Sequence, residues 1–165
     1  MKNYVLGAAV ACVSVGAFAE QTPIEGTVES KCVITTDTAG VYGNPVPYTL
    51  STAPADGGVV PVVRYDVISG DYYKASIEYP LMFSTAPELT DVVNFTGSVS
   101  TAEVSDALMA EYDIEKVEFN NVTEFNLTYP GSVWFAVESL ASYGFNKSFP
   151  AGSYNAVVNA ECIAI

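Results

Sequence analysis

Apolar side chains return at every second position at both ends of this chain, and each of the two runs carries a cysteine in its apolar phase. Between Thr22 and Ile34, the residues Ile24, Val28, Cys32 and Ile34 fall on one side while Glu25, Thr27, Glu29 and Lys31 fall on the other. Between Tyr154 and Ala164, the residues Tyr154, Ala156, Val158, Ala160, Cys162 and Ala164 alternate with Asn155, Asn159 and Glu161. Successive side chains leave a pleated backbone on opposite faces, so a period of two predicts a strand with one buried side. Both terminal strands therefore aim a cysteine inward. Cys32 and Cys162 are expected to form a disulfide that joins the two ends of one domain.

A stable disulfide requires an oxidising compartment, and the first residues are consistent with one. Lys2 is followed by an uncharged apolar run from Val5 to Phe18, then by Ala17-Phe18-Ala19 ahead of Glu20, the arrangement of a signal peptide with a small-x-small cleavage site. Residues 1–19 are expected to leave, taking the third cysteine, Cys12, with them, and residues 20–165 to form a single domain. No second apolar stretch is long enough to span a bilayer, so the mature product is expected to be secreted, at the bacterial cell surface or in the periplasm.

The middle of the chain continues the strand pattern. Val59–Ile68 carries Val59, Val63, Tyr65 and Val67 on one parity, and Tyr72–Tyr79 carries Tyr73, Ala75, Ile77 and Tyr79; Ser69-Gly70-Asp71 between them reads as a hairpin turn. Val117–Phe119, Thr123–Tyr129 and Ser132–Glu138 follow, with Phe125, Leu127, Tyr129, Val133, Phe135 and Val137 inward. The proline- and glycine-rich stretch from Gly40 to Gly58 suits an extended loop or an edge strand, since proline cannot donate to a central ladder. Ser100-Thr101-Ala102-Glu103 has the form of a capping box, and Val104, Ala107, Leu108 and Tyr112 follow at helical spacing, which predicts one short crossover helix over 101–112. Many short strands at this spacing predict an all-β antiparallel sandwich.

Composition removes most chemistry. The chain has no histidine, which excludes serine triads, Cys–His pairs and His-based metal sites. Loss of Lys2 with the leader leaves five basic residues against 19 acidic ones, a charge of −14 that opposes binding to nucleic acid. No carboxylate pair is singled out by spacing, no catalytic residue is assigned, and the chain is not read as an enzyme; no cofactor is implied. Asp37, Asp56, Asp71 and Asp113 lie in turn-like contexts without a calcium-loop spacing. Trp134 stands on the outward parity of its strand, either packed beneath a neighbour or offering a surface that a glycan could stack on. Sequons at Asn94, Asn121, Asn126 and Asn146 are taken as idle in a bacterial protein.

The closing strand Gly152-Ser153-Tyr154-Asn155-Ala156-Val157-Val158 and the segment Ala86-Pro87-Glu88-Leu89-Thr90-Asp91-Val92-Val93-Asn94 resemble parts of the pilins of chaperone–usher fimbriae, of the colonisation-factor type. The resemblance covers about a fifth of the chain. It implies an immunoglobulin-like sandwich that is incomplete by itself and is closed by the N-terminal arm of the next copy, so that the homopolymer is the function and a periplasmic chaperone a further partner. In this chain the arm would be residues 20–30, with Thr22, Ile24, Gly26 and Val28 directed into a groove. The other reading open at this level is a cell-surface or periplasmic module that binds glycan or calcium.

Overall fold

In a computed structural model, which describes Glu25 and residues 31–165, the chain forms two antiparallel sheets packed face to face. Ten strands make them up: β1 (Cys32–Thr38), β2 (Gly43–Val46), β3 (Thr49–Ser51), β4 (Val62–Val67), β5 (Tyr73–Glu78), β6 (Val93–Val104), β7 (Val117–Phe119), β8 (Val122–Leu127), β9 (Gly131–Tyr143) and β10 (Asn159–Ala164). The larger sheet is built on β9. Along one edge β9 pairs with β4 through its first half and with β3 through its second; along the other it pairs with β6. β1 then pairs with the outer side of β4, and β2 with β3. The smaller sheet runs β10, β5, β8, β7.

The alternation read from the sequence sets the core. Val63, Tyr65 and Val67 of β4 and Val133, Phe135 and Val137 of β9 are buried, and they face Ala75, Ile77, Phe125 and Leu127 of the smaller sheet. Phe135 meets Tyr65 edge-on at 5.5 Å between ring centres and Phe125 at 4.2 Å, so this ring contact joins the two layers. The Tyr65 hydroxyl donates to the Glu161 carbonyl, 3.1 Å away, and so ties β4 to β10 across the sandwich. Cys32 and Cys162 are joined in a disulfide with their Cα atoms 6.3 Å apart, and both pack against the core as expected.

Four expectations need correction. Ser69-Gly70-Asp71 does not close a hairpin: β4 lies in one sheet and β5 in the other, and the turn carries the chain between layers. Gly70 passes so close to the Thr128 carbonyl that a Cβ would overlap it, which is why the crossing needs glycine there. The capping box at Ser100–Glu103 is not one, because these residues continue β6 through a bulge at Thr101–Glu103. The helical crossover begins later, where the Asp106 carboxylate accepts from the Leu108 amide at 2.9 Å; a 3-10 turn over Ala107–Glu111 leads into the one-turn helix α1 (Tyr112–Glu115). Val59 and Tyr129 are not inward: Val59 is held only by a single bridge to Val41, Tyr129 lies beyond the end of β8, and both are exposed.

Candidate functional site

The two sheets do not end alike on their two flanks. On one flank the edge strands are β1 in the larger sheet and β10 in the smaller, and among the described residues neither has a partner on its outer side. The disulfide bridges these two edges at one end. Strand β1 runs away from Cys32, while β10 runs toward Cys162, so the two edges leave the bridge side by side and antiparallel. Beyond the disulfide, between the far end of β1 and the segment that precedes β10, lies a groove of about 590 Å³. Thr36, Thr38 and Val41 form one wall; Ala156, Val157 and Val158, which belong to no strand, form the other; Leu50 and Val63 lie in its floor.

Packing is thinner here than in the centre. Tyr65, Ala75, Ile77, Phe135 and Val137 have no exposed surface, whereas Val158 in the groove wall and Cys32, Ile34, Ala160 and Cys162 along the same flank reach the core yet remain only partly covered, as do Tyr73, Tyr79 and Val104 elsewhere. Apolar area left in water forgoes about 25 cal/mol for each Å². Val41, Val157 and Leu81, which follows the groove-lining Pro80, add exposed apolar surface around the mouth.

Three polar side chains of the groove, Tyr42, Thr52 and Ser139, are engaged with one another. The Tyr42 hydroxyl and Ser139 Oγ lie 2.8 Å apart, and burial raises the Tyr42 pKa despite that hydrogen bond. The Ser139 amide donates to Thr52 Oγ1 at 2.9 Å, and the Thr52 amide donates to the Ser139 carbonyl at 2.9 Å. Phe83 braces the open end through edge-on contacts with Tyr42 at 6.1 Å and Tyr154 at 5.1 Å. Among the described residues the one buried side-chain polar atom without a partner is Thr101 Oγ1, outside this groove. Such a groove offers apolar walls, the end of one strand edge in β1 and an extended segment in Ala156–Val158, features that suit an added strand.

Trp134 sits elsewhere, on the outer face of the larger sheet. Its indole Nε1 donates to Asp37 Oδ1 at 3.1 Å, and the Arg64 guanidinium lies 4.9 Å from the ring centre. Arg64 is in turn held by Asp66 Oδ1, 2.7 Å from Nη2. Desolvation would raise the Asp66 pKa, but hydrogen bonds from Ser132 and Arg64 and the charge of Arg64 outweigh it and hold the carboxyl below its usual range. One face of the ring and its N–H are therefore already occupied within the chain. The turn acids named above are dispersed: Asp37 serves Trp134, and Asp113 accepts the Thr101 amide at 3.0 Å. Among the described residues no three acidic or thiol ligands come together.

The donor-strand candidates Thr22, Ile24, Gly26 and Val28 lie outside the described residues. The resemblance implied a groove without saying which residues form it; one wall, Ala156–Val158, lies in the alternating run that closes the domain, while Thr36, Thr38 and Val41 follow the run that opens it. Set beside family models, curated proteins and solved structures, the chain matches none of them.

Proposed function

We propose that this chain is the structural subunit of a secreted bacterial surface filament, in which residues 20–30 of one copy fill the flank between β1 and β10 of the next. The observation that carries the proposal is that β1 and β10 have, among the described residues, no partner on their outer sides, and that the flank they share continues into an apolar-walled groove between Thr36, Thr38 and Val41 on one side and Ala156–Val158 on the other. Main-chain edges supply affinity for an added strand, and the groove walls take its alternate side chains. Ile24 and Val28 would seat in the groove with Thr22 and Gly26, while Glu25, Thr27 and Glu29 face water.

The direction of the chain at Lys31 favours a neighbour's groove over its own. The Ile68 amide donates to the Lys31 carbonyl at 3.1 Å, which extends the β1–β4 ladder one residue beyond Cys32 and heads the backbone away from the groove. To lie in its own groove the arm would have to reverse within Val28-Glu29-Ser30, a stretch without glycine, proline or asparagine, or turn at Gly26 and leave only residues 20–25 for insertion. Extended, the 11 residues reach roughly 36 Å, enough to cross a neighbouring sandwich.

The test is the double substitution Ile24→Asp and Val28→Asp, which places two unpaired charges in an apolar groove. Filaments should be lost while the monomer stays folded and disulfide-bonded. An unfolded monomer would mean that the arm belongs to its own core, and filaments at wild-type yield would mean that these side chains enter no groove.

A further inference from the structure

The position of the disulfide relative to the groove suggests a mechanical role. We infer that Cys32–Cys162 is a force lock that shares filament tension between the edge ladders of the two sheets and keeps the chain between the cysteines from being drawn out; the inference rests on the filament reading above. In such a filament every subunit is pulled at two places. Its own arm, seated in the next copy, pulls on β1 at Lys31 and Cys32. The arm it receives pulls on the walls of its groove, which are β1 and the segment Ala156–Val158 leading into β10.

Without the disulfide, tension on the arm would enter the domain through β1 alone and would reach the second wall, Ala156–Val158, only through the noncovalent contacts of the folded domain. Strand β1 is fastened to the domain by its ladder with β4, six register positions from Cys32↔Val67 to Thr38↔Val62 with an irregularity between Thr36 and Thr38. Sliding β1 off β4 would at once remove one wall of the groove and free the strand that follows it. The disulfide changes the connectivity. Cys32 is the first residue of β1, next to the point where the arm pulls, and Cys162 lies in β10, which is held by a second six-position ladder to β5. Tension entering at Cys32 therefore passes to both ladders together, one in each sheet, and continues to the received arm through the strands that hold it.

The span between the two cysteines is the part protected. They are separated by 130 residues, so nearly the whole described domain is enclosed in a covalent loop that tension cannot draw out while the bond is intact. The core residues of β4, β5, β8 and β9 all lie within that loop.

Stretching single filaments in an optical trap, oxidised and then after treatment with a thiol reductant, tests the lock. Oxidised filaments should show no stepwise lengthening from subunit unfolding before they break. Reduced filaments should lengthen in steps approaching roughly 430–470 Å for each subunit, the extended length of the released loop, or break at a markedly lower force. Filaments carrying Cys32→Ala and Cys162→Ala, assembled without reductant, should behave like reduced ones and exclude side effects of the reagent. If filaments form but oxidised and reduced samples lengthen and break alike, the lock is wrong and the filament reading survives. If the chain forms no filaments, the reading beneath it fails and the lock falls with it.

Discussion

Removing the disulfide should cost this domain a large part of its stability, and the amount follows from where the two cysteines lie. Closing a loop across 130 residues restricts the unfolded chain by about 5 kcal/mol at 25 °C in the chain-entropy relation. That is an upper figure, because residual structure in the unfolded ensemble already removes some of the freedom. Domains of this size hold about 5–15 kcal/mol in total, so the loss is a third or more of the whole. Serine at either position adds little further, since both sites are only partly buried and water can reach the hydroxyls. Urea unfolding of the Cys32→Ser/Cys162→Ser variant against the oxidised protein, followed by the fluorescence of Trp134, the one tryptophan, measures the difference. With an m-value of about 2 kcal/mol/M the midpoint should fall by roughly 2 M. A fall of less than about 0.5 M, equivalent to ~1 kcal/mol, would refute the claim that the bond is a main constraint on the unfolded chain.

Three other outcomes follow from the packing and charge. Gly97→Ala in β6 would put a Cβ against the Glu138 carbonyl and 2.7 Å from the Tyr79 ring, so it should destabilise by about 1–3 kcal/mol and lower Tm in calorimetry. Burial, then the nearby Glu161 charge, raise the Tyr65 pKa well above its ordinary value. Its neutral form thus stabilises the fold fully below pH about 10, and that stability is lost as pH rises further while the unfolded tyrosine ionises; Tyr65→Phe should weaken this alkaline loss and cost about 1 kcal/mol at neutral pH through the hydrogen bond to Glu161. Because the chain carries a formal charge of −13, assembly should strengthen as sodium chloride shortens the Debye length from about 30 Å at 0.01 M to about 8 Å at 0.15 M, and light scattering that falls over that range would argue against repulsion as the limiting force.

Where one face of a strand is buried, the alternation of residue types revealed it. Val63, Tyr65, Val67, Ala75, Ile77, Phe125 and Phe135 all stand where period two places them, and the shared parity of Cys32 and Cys162 is enough to pair them. Local pattern failed where long-range pairing decides. The turn at Ser69–Asp71 has hairpin chemistry, yet whether its strands pair or part into two sheets depends on β9 and β8, which lie more than 50 residues on. Strand β6 was overlooked, although Val93, Phe95, Gly97 and Val99 keep the alternation; the bulge at Thr101–Glu103 breaks its period where a capping motif seemed to begin. The walls of the groove were not legible for a related reason. That β1 and β10 have no outer partner among the described residues is a property of sheet order, which no local window contains.

The central claim is that the β1/β10 flank receives residues 20–30 of another copy. The most direct measurement is hydrogen exchange of the folded monomer with and without a synthetic peptide of residues 20–30. The account predicts that the peptide slows exchange at the amides of β1 and of Ala156–Val158 and leaves β8 and β9 unchanged, while the same peptide with Ile24→Asp and Val28→Asp has no effect. Amides on this flank that are already protected in the monomer and indifferent to the peptide would contradict it, because the sandwich would then be closed by its own chain.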